Sequence, residues 1–399
     1  MSDAINAISS NFAHTLGALW RAIIDAGGSV ALWHAPEARE IHLVGDLSPA
    51  PALTPERLTG RERGFLVAPF HAHDTEQRVL LKPDIHVARE PASFSGNIPH
   101  PLPPEIQMRF EGHLGEPNPP IPYHVSTVHC GLTDEKEPFV ARVQEAKDAM
   151  SRGQMQKVAL ARKKIVALSA DFDPVRTFLR LGQAYGSAFT TLLSIPGVGT
   201  WMGASPELLV GLSEDAIFTT VALAGTMPFS EPIKLTEVTW RQKEIAEQAL
   251  VSRYIVDQFK KIRLREFLED GPRAVQAGPT VHLRTDFSVD TKEVSWPDLG
   301  WVMLELLHPT SAVCGMPKET ALAFLSQKEG ASRKLYSGYL GPVNMSGGTQ
   351  LYVNLRCMEL RGDRAVLYAG AGITRDSDPT REWEETELKC RTLLDILRT

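Results

Sequence analysis

The sequence predicts an α/β or α+β fold, because segments with helical periodicity alternate with short β-rich runs along most of its 399 residues. Hydrophobic residues make up 43% and charged residues 23%, which is ordinary for a globular protein with a large core. The 42 basic and 48 acidic residues give a formal net charge of −6. Because nucleic acids bind cationic surfaces, this balance argues against a nucleic-acid partner.

The first 85 residues are predicted to form a mixed region of helix and strands. Phe12 to Ala26 has helical apolar spacing, and the runs GSVALWHA and EIHLVGDL are typical of strands. Prolines crowd the stretch from Pro91 to Pro122. Because proline lacks an amide donor and blocks a helix, we expect an irregular crossing segment there.

The elements that follow are predicted more sharply. Asp134 is expected to cap a helix over EKEPFVARVQEAKDAMSR, and Gly153 is expected to end it. The run KVALARKKIVAL is then predicted as a strand, and Asp173 with Pro174 opens the next helix. Short strands are expected at FTTLLSI, TWMGA, ELLVGL and IFTTVAL.

The C-terminal part is predicted to contain two further helices and a pair of strands. The segment TEVTWRQKEIAEQALVSRYIVDQF forms one helix, and TREWEETELKCRTLLDILR forms the other, with Thr380 as its cap. The runs LYVNLRCMEL and RAVLYAGAGI are predicted as adjacent strands joined by a Gly–Asp turn. The glycines of LAGT and AGAG are expected to form turns after strands, where backbone amides approach a ligand closely.

Cysteine use and the N-terminus indicate the compartment. The four cysteines are Cys130, Cys314, Cys357 and Cys390, none at CxxC spacing, so neither a disulfide framework nor a zinc site is predicted. The chain starts without a secretory signal, and no apolar run approaches the ~20 residues that a membrane helix needs. We therefore expect a cytoplasmic protein with reduced thiols and no membrane partner.

Two pairs of glutamates share a spacing of three residues on predicted helices. Glu244 and Glu247 form one pair, and Glu382 and Glu385 form the other, with Lys389 four residues later. Such pairs are most often solvated helix faces. The alternative is that four carboxylates converge on one hard cation such as Mg²⁺, which prefers oxygen ligands and invites an anionic substrate. Spacing alone leaves both interpretations open.

Three single residues give weaker signals. Glu207 in SPELLVG begins an apolar strand, either as an exposed strand end or as a partly buried acid that donates a proton. Lys157 begins the strand KVALARKK, where a surface lysine is the usual interpretation. Arg356 in YVNLRCMEL would need an anion if its guanidinium pointed inward.

The order of the motifs is far more specific than any one of them. Along Lys157 to Lys389 they are QKVALAR, SPELL, LAGT, KEIAEQ, HPTSAVCG, LYSGYLG, VNLRCMEL, YAGAGI and EWEETELK. This series resembles the chorismate-utilising enzymes, most closely the isochorismate synthases. The similarity is dense over the C-terminal two thirds and vague before about residue 130. Ser311, Cys314 and Thr374 depart from the family pattern without touching a proposed catalytic residue.

The resemblance implies a fold and a cofactor. It implies two β-sheets layered face to face with helices packed outside, and a site between the layers that holds Mg²⁺ and the substrate chorismate. Residues 1–125 would be the variable N-terminal part of the same fold, and residues 126–399 the chorismate-binding catalytic region. We expect a monomer or weak homodimer.

The resemblance also implies site residues, motif by motif. Glu247 and Glu385 match the direct metal ligands, and Glu244 and Glu382 match the companion acids that help to hold the metal and its waters. The implied substrate-binding residues are Gly225, Thr226, His308, Tyr336, Arg356, Gly370, Gly372 and Lys389.

Lys157 occupies the position that selects the reaction in this family. Members that add water at C2 of chorismate carry a lysine there, whereas ammonia-adding members such as anthranilate synthase usually carry another residue. The resemblance therefore implies isochorismate synthase activity, with Lys157 as a partly buried base and Glu207 as the acid that protonates the departing C4 hydroxyl. Salicylate synthase, which also expels pyruvate, is an alternative, and a protein that only binds chorismate is disfavoured because both catalytic residues and all four acids are present.

Overall fold

The computed structural model describes residues 10–49, 52–53, 60, 62–70, 78–91, 101–116, 120–128, 132–228, 234–277, 280–329 and 332–398. Cys130 and residues 92–100 of the proline-rich stretch lie outside these ranges. The described strands form two nine-stranded sheets in which neighbouring strands are antiparallel. The fold is therefore α+β, which confirms the predicted class.

The helices and strands alternate along the chain. The described helices are α1 (Ser10–Asp25), α2 (Pro104–Leu114), α3 (Lys136–Ser151), α4 (Pro174–Ala184), α5 (Gln242–Lys261), α6 (Leu299–Leu307), α7 (Lys318–Glu329) and α8 (Pro379–Leu397). The described strands are β1 (Ser29–His34), β2 (Ile41–Asp46), β3 (Ala52–Leu53), β4 (Gly64–Ala68), β5 (Val79–Leu81), β6 (Ile85–Arg89), β7 (Lys157–Ala167), β8 (Phe189–Ile195), β9 (Gly199–Ser205), β10 (Leu208–Leu212), β11 (Ile217–Pro228), β12 (Leu268–Ala277), β13 (Thr280–Asp290), β14 (Gly315–Met316), β15 (Tyr339–Val343), β16 (Thr349–Val353), β17 (Cys357–Arg361) and β18 (Arg364–Ile373).

The N-terminal strands extend both sheets. The first sheet has the order β14-β7-β18-β17-β9-β8-β1-β2-β6, and the second has the order β12-β13-β11-β10-β16-β15-β4-β5-β3. Strands β1, β2 and β6 form one end of the first sheet, and β3, β4 and β5 form one end of the second. The chain before residue 126 thus shares both sheets with the chain after it.

The two sheets pack face to face through aromatic and aliphatic side chains. Phe189 of the first sheet stacks on Tyr352 of the second, with ring centroids 4.1 Å apart, and Trp33 lies 5.1 Å from Phe65. Helices α1, α2, α4 and α8 bury apolar residues in one core with strands of the first sheet. Helices α5 and α6 pack on the second sheet. This arrangement confirms the expected layered sheets with helices outside.

Helix α2 corrects the prediction for the proline-rich stretch. This helix of 11 residues begins at Pro104 inside the segment that we expected to be irregular. A proline in the first helical turn is tolerated because its missing amide would have no intrahelical partner there. Ile106 and Phe110 are buried against the N-terminal core, which stabilises the helix.

The helix ends show which predicted caps were correct. Asp173 accepts a hydrogen bond from the Arg176 amide at 2.9 Å, as expected for the cap of α4. The cap of α8 is Asp378 rather than Thr380, because Asp378 accepts from the Arg381 amide. Pro379 is favoured at the first helical position because it has no amide hydrogen to satisfy, and the residue directly before it, Asp378, is therefore the cap.

Two other helix starts also differ from the prediction. Helix α3 begins after Glu135, whose side chain makes no capping bond, so Asp134 is not its cap. It ends as predicted, with Gly153 in the left-handed region (φ 74°) just after it. Helix α5 begins at Gln242 rather than Thr236, because a short 3₁₀ turn at Leu235–Glu237 precedes it. The intervening Val238, Thr239 and Trp240 are weak helix formers.

Among the residues that the structure describes, no helix is long and apolar enough to span a bilayer.

Candidate active site

Glu207 and Arg356 lie where the chain crosses from one sheet to the other. Glu207 sits between β9 of the first sheet and β10 of the second, and Arg356 sits between β16 of the second and β17 of the first. Strands β9 and β17 are neighbours, and so are β10 and β16, so the two crossings run side by side. Hydrogen bonds from the Val353 amide to Glu207 O (3.0 Å) and from the Ala204 amide to Arg356 O (3.1 Å) join them.

This crossing corrects the prediction that LYVNLRCMEL is one strand. The segment is divided between two sheets, and Arg356 adopts φ 48° at the break. Only its second half, β17, pairs with β18 across the expected Gly362–Asp363 turn. The break turns the guanidinium into a cavity between the sheets, where it is nearly inaccessible to solvent.

The cavity is lined by both sheets and by the loops that join them. Its walls include most of the predicted substrate-binding residues. Lining residues among them are Gly225, Thr226, Tyr336, Arg356, Gly370, Gly372 and Lys389, together with Glu207 and Glu247.

Lys157 lies behind the cavity wall, at the first position of β7. Its side chain is 0% exposed, more buried than predicted, and its Nζ donates to Glu247 Oε1 at 2.9 Å. A Cβ on Gly372 would lie 2.4 Å from Glu247 Oε1 and 3.2 Å from Lys157 Cε, so only glycine leaves room for this pair. Burial raises the pKa of Glu247, but the charges of Lys157, Lys389 and Lys243 outweigh it and lower that pKa overall.

Glu207 is a buried acid with few partners. Its carboxyl is 3% exposed, and Oε1 accepts from the Thr310 hydroxyl at 3.4 Å. Burial raises the pKa of Glu207 to about 7, although the charges of Lys157 and Lys389 and the Thr310 hydrogen bond act in the opposite direction. At neutral pH a large fraction of this carboxyl therefore carries a proton that it can donate.

Arg356 is a buried cation held by neutral groups. Its guanidinium contacts the Thr392 hydroxyl (3.2 Å), the Thr280 hydroxyl (3.4 Å) and His282 Nε2 (3.2 Å). Among the described residues it makes no ion pair with a carboxylate, and burial lowers its pKa. Because a guanidinium can only donate, His282 Nε2 is the acceptor and its proton lies on Nδ1, which faces the Thr226 hydroxyl at 3.3 Å. An uncompensated buried guanidinium favours the entry of an anion.

The predicted metal residues gather around three lysines. Lys243 Nζ lies 2.6 Å from Glu382 Oε1, Lys389 Nζ lies 2.7 Å from Glu385 Oε1, and Lys157 holds Glu247 as described above. Glu382 is 1% exposed, so the face of α8 that carries Glu382, Glu385 and Lys389 points into the protein rather than into solvent. Burial and the charge of Glu385 raise the pKa of Glu382, and Lys243 partly offsets them.

The acids offer oxygen ligands, yet they are not arranged as a closed ion site. Glu244 Oε2 and Glu382 Oε2 are buried and make no hydrogen bond within the described part of the chain. Unsatisfied carboxylate oxygens and an all-oxygen donor set fit a hard cation such as Mg²⁺. In the described residues, no three acidic, histidine or cysteine side chains are close enough together to hold a metal ion. The metal roles of the four glutamates therefore stay predictions.

The glycines lie in strands rather than in turns after strands. Gly225 is inside β11, at a bulge between Ala224 and Thr226 where the pairing with β13 shifts, and its φ is 67°. A Cβ there would lie 3.0 Å from the Glu244 side chain, so the bulge brings β11 close to α5. Gly370 and Gly372 belong to β18 and pair with β7, which corrects the expected turn at AGAG. The absence of side chains leaves the cavity open at these positions.

His308 does not line this cavity. Its Nε2 lies 3.2 Å from Phe70 O, and its ring packs edge-on against Tyr339. Burial and the nearby Lys318 and Arg78 lower its pKa to about 3, so the ring is neutral. The HPT motif instead contributes Thr310, the partner of Glu207. The expected role of His308 in substrate binding is therefore not supported by its position.

Comparison with known proteins decides the family. The family model "Chorismate binding enzyme" matches residues 107–398. The chain belongs to the chorismate-binding enzymes. A putative isochorismate synthase from Aeromonas hydrophila is 31% identical over 321 residues, which are 77% of this chain and 76% of that protein. Isochorismate synthase EntC from Escherichia coli K12 is 27% identical over 267 residues, or 66% of this chain and 67% of EntC.

Solved structures of such enzymes share the fold. The menaquinone-specific isochorismate synthase MenF from Escherichia coli superposes with a TM-score of 0.71 at 21% identity, over 95% of this chain and 91% of MenF. The putative isochorismate synthase DhbC from Bacillus anthracis gives a TM-score of 0.70 at 20% identity, over 94% and 98%. Because the superposition includes the N-terminal strands, the family fold extends beyond the matched motifs.

The structure of this chorismate-binding enzyme adds site residues that the sequence did not indicate. His282 and Thr310 contact Arg356 and Glu207, and Lys243 neutralises Glu382. Lys243 precedes Glu244 in KEIAEQ, where an alternating charge pattern could have indicated it. His282 gave no signal, because a lone histidine in a strand is usually a core or surface residue.

Proposed function

We propose that the protein is an isochorismate synthase, which isomerises chorismate to isochorismate. This proposal depends on two buried residues: Glu207, an acid of raised pKa that lines the cavity, and Lys157, which lies directly behind the cavity wall and whose charge acts on Glu207. Arg356 at the same cavity supplies the cation that an anionic substrate needs. The names of the relatives, two of them isochorismate synthases or putative ones, support the same reaction.

Lys157 acts as the general base. In the reaction a water oxygen forms a bond to C2 of the substrate ring, and the proton that this water loses passes to the neutral amine of Lys157. The ring double bonds shift as the C4–O bond breaks. The ammonium form cannot accept a proton, so this role requires the neutral amine. Glu247, 2.9 Å from Nζ, orients the amine.

Glu207 acts as the general acid. It transfers its proton to the C4 hydroxyl, which leaves as water, so one water enters and one departs. Hydroxide is a poor leaving group, and general acids typically contribute about 10²–10⁴-fold to such steps. A pKa of about 7 keeps Glu207 partly protonated at neutral pH, where an ordinary glutamate would be ionised.

Arg356 and Lys389 receive the carboxylates of chorismate. Arg356 has only neutral partners among the described residues, so its positive charge is available to the enolpyruvyl carboxylate. Tyr336, Gly370 and Gly372 enclose that group. Lys389 already donates to Glu385 and to Gly370 O (2.9 Å), which leaves one N–H for a substrate carboxylate. Gly225 and Thr226 form the remaining wall.

Mg²⁺ is the cofactor that the four glutamates fit. Glu247 and Glu385 would be direct ligands, and Glu244 and Glu382 would hold the ion and its waters. When bound, the ion supplies positive charge that positions a substrate carboxylate and screens the surrounding acids. The two buried oxygens without hydrogen bonds, on Glu244 and Glu382, support this assignment.

The wider context is also proposed from the relatives. We infer a cytoplasmic enzyme, monomeric or weakly dimeric, whose product feeds menaquinone or siderophore synthesis, since MenF from Escherichia coli is a menaquinone-specific isochorismate synthase. We infer that residues 1–125 form the variable part of the fold and residues 126–399 the catalytic region.

Product analysis tests this function. Purified protein is incubated with chorismate and Mg²⁺, the products are separated by chromatography, and pyruvate is measured in the same samples. Isochorismate without pyruvate is the expected result. Stoichiometric salicylate and pyruvate would indicate a salicylate synthase instead, and an unchanged chorismate peak would contradict both.

A further inference from the structure

A buried ion pair that the proposed mechanism does not use lies at the cavity, and its arginine, Arg333, is one of the lining residues. Glu329, the last residue of α7, and Arg333 are 5% and 3% exposed. The guanidinium binds the carboxylate through two bonds, Nε to Oε2 at 2.7 Å and Nη2 to Oε1 at 2.6 Å. It also lies over the Phe70 ring, 4.3 Å from the centroid. Such a pair is costly to bury, so its remaining bonds indicate its role.

The pair completes the edge of the strand that carries Lys157. Strand β14 pairs with β7 only at Lys157 and Val158. Beyond them, the Ala161 amide donates to Glu329 Oε1 at 2.8 Å, and Arg333 Nη2 donates to Ala159 O at 2.7 Å. The two side chains thus replace the missing neighbouring strand and fix the start of β7.

The same guanidinium holds the loop that touches Glu207. Arg333 Nη1 donates to Val313 O at 2.8 Å. Val313 belongs to the turn that starts at Thr310, since the Val313 amide donates to Thr310 O at 3.2 Å. Thr310 in turn donates to Glu207. One side chain therefore connects the strand of Lys157 with the hydrogen-bond partner of Glu207.

We propose that Glu329 and Arg333 are positioning residues that fix the Lys157 strand relative to the Thr310 loop, and so set the geometry between the base and the acid. This rests on the proposed function for its catalytic meaning. The structural part of the proposal, the placement of Thr310 against Glu207, does not depend on that function. Misplacement by about 1 Å can cost on the order of 100-fold in rate.

The state of Glu207 reports this placement. The charged groups that act on Glu207 are Lys157 on β7 and Lys389 on α8, and the Thr310 hydroxyl also lowers its pKa. When the Glu329–Arg333 pair is weakened, we expect Thr310 to move away from Glu207 and the pKa of Glu207 to rise further. A loss of general stability alone would not move this pKa.

The experiment is a ¹³C NMR titration of glutamate side-chain carboxyls. The Glu207 signal is assigned by its absence in Glu207→Gln. Wild type, Glu329→Gln and Thr310→Val are compared, and Glu305→Gln is the matched control. Glu305 forms a two-bond pair with Arg78 (2.7 and 3.1 Å), and neither of these two bonds involves β7 or Thr310. Thermal unfolding checks that each variant is folded.

We expect Glu329→Gln and Thr310→Val to shift the Glu207 titration upward by similar amounts, and Glu305→Gln to leave it unchanged. With chorismate, kcat of Glu329→Gln should fall about tenfold or more while KM changes little. If Glu329→Gln does not fold, the double variant Glu329→Leu/Arg333→Met replaces it, because it leaves no unpaired charge. A wild-type Glu207 titration in the folded variant would overturn the proposal. Because the titration needs no turnover, failure of the wild type to convert chorismate would refute the proposed function alone.

Discussion

The two charged parts of the cavity are built differently. On α5 and α8, three buried or half-buried carboxylates each face a lysine: Glu247 faces Lys157, Glu382 faces Lys243, and Glu385 faces Lys389. At the crossing between the sheets, Arg356 has only neutral partners. In the first part these three carboxylates are each paired with a lysine, whereas in the second part the positive charge has no carboxylate partner among the described residues. This difference fits the proposed roles, in which the crossing attracts the substrate anion and the acids of the two helices hold the cation and orient the base.

Replacing Lys157, the proposed base, should have the largest effect on turnover. Lys157→Ala removes the hydrogen-bond partner of Glu247 and the proposed proton acceptor, so turnover should fall by about 10³–10⁴-fold. Chromatographic assay of isochorismate measures the loss. Lys260→Ala, at the exposed end of α5, should keep wild-type turnover. Full turnover of Lys157→Ala would exclude the base role.

Removing the acid should have the next largest effect. Glu207→Gln keeps the shape of the side chain and its Thr310 contact but cannot donate a carboxyl proton, so kcat should fall about 10²–10³-fold. Chorismate binding, measured by calorimetry, should stay within about twofold. A variant with unchanged kcat would remove Glu207 from the mechanism.

Neutralising the crossing should affect binding more than the chemical step. Arg356→Met removes a charged hydrogen-bond donor, worth about 1.5–3 kcal/mol, so KM for chorismate should rise roughly 10–100-fold with a smaller change in kcat. Arg364→Met is the control, because Arg364 is exposed at the start of β18. If both variants kept the wild-type KM, the anion would bind elsewhere.

The helical part is tested by its metal dependence. Chelation should abolish turnover, and Glu244→Gln should weaken the apparent affinity for Mg²⁺ by about 10–100-fold. Titration of activity with Mg²⁺ measures this shift, and exposed Glu237→Gln serves as control. Activity that survives complete chelation would contradict the metal assignment.

The pH dependence of the rate tests the acid role of Glu207, and the expected change is smaller than that of the variants. Glu207 must be protonated to act, and its pKa is about 7, so the rate should fall above pH 7, by about tenfold per pH unit once ionisation dominates. A rate that rises steadily from pH 7 to pH 9 would reverse the role of Glu207.

The sequence predicted the helical part better than the crossing. Glutamates three residues apart on helices α5 and α8 share a face, so their grouping follows from helical geometry. We predicted Arg356 inside a strand, because no local pattern shows that LYVNLRCMEL changes sheets between Val353 and Cys357. His282 and the Glu329–Arg333 pair were missed for the same reason. Their roles depend on which strands become neighbours, and strand order was not derivable from periodicity.

Isotope labelling tests whether a water activated by Lys157 adds at C2 while Glu207 expels the C4 hydroxyl. Chorismate and Mg²⁺ are incubated with the protein in H₂¹⁸O, and the product is examined by mass spectrometry. We expect isochorismate that carries one ¹⁸O atom in its ring hydroxyl, and no such product from Lys157→Ala. Isochorismate without the label would contradict it, because the hydroxyl would then have moved without solvent water.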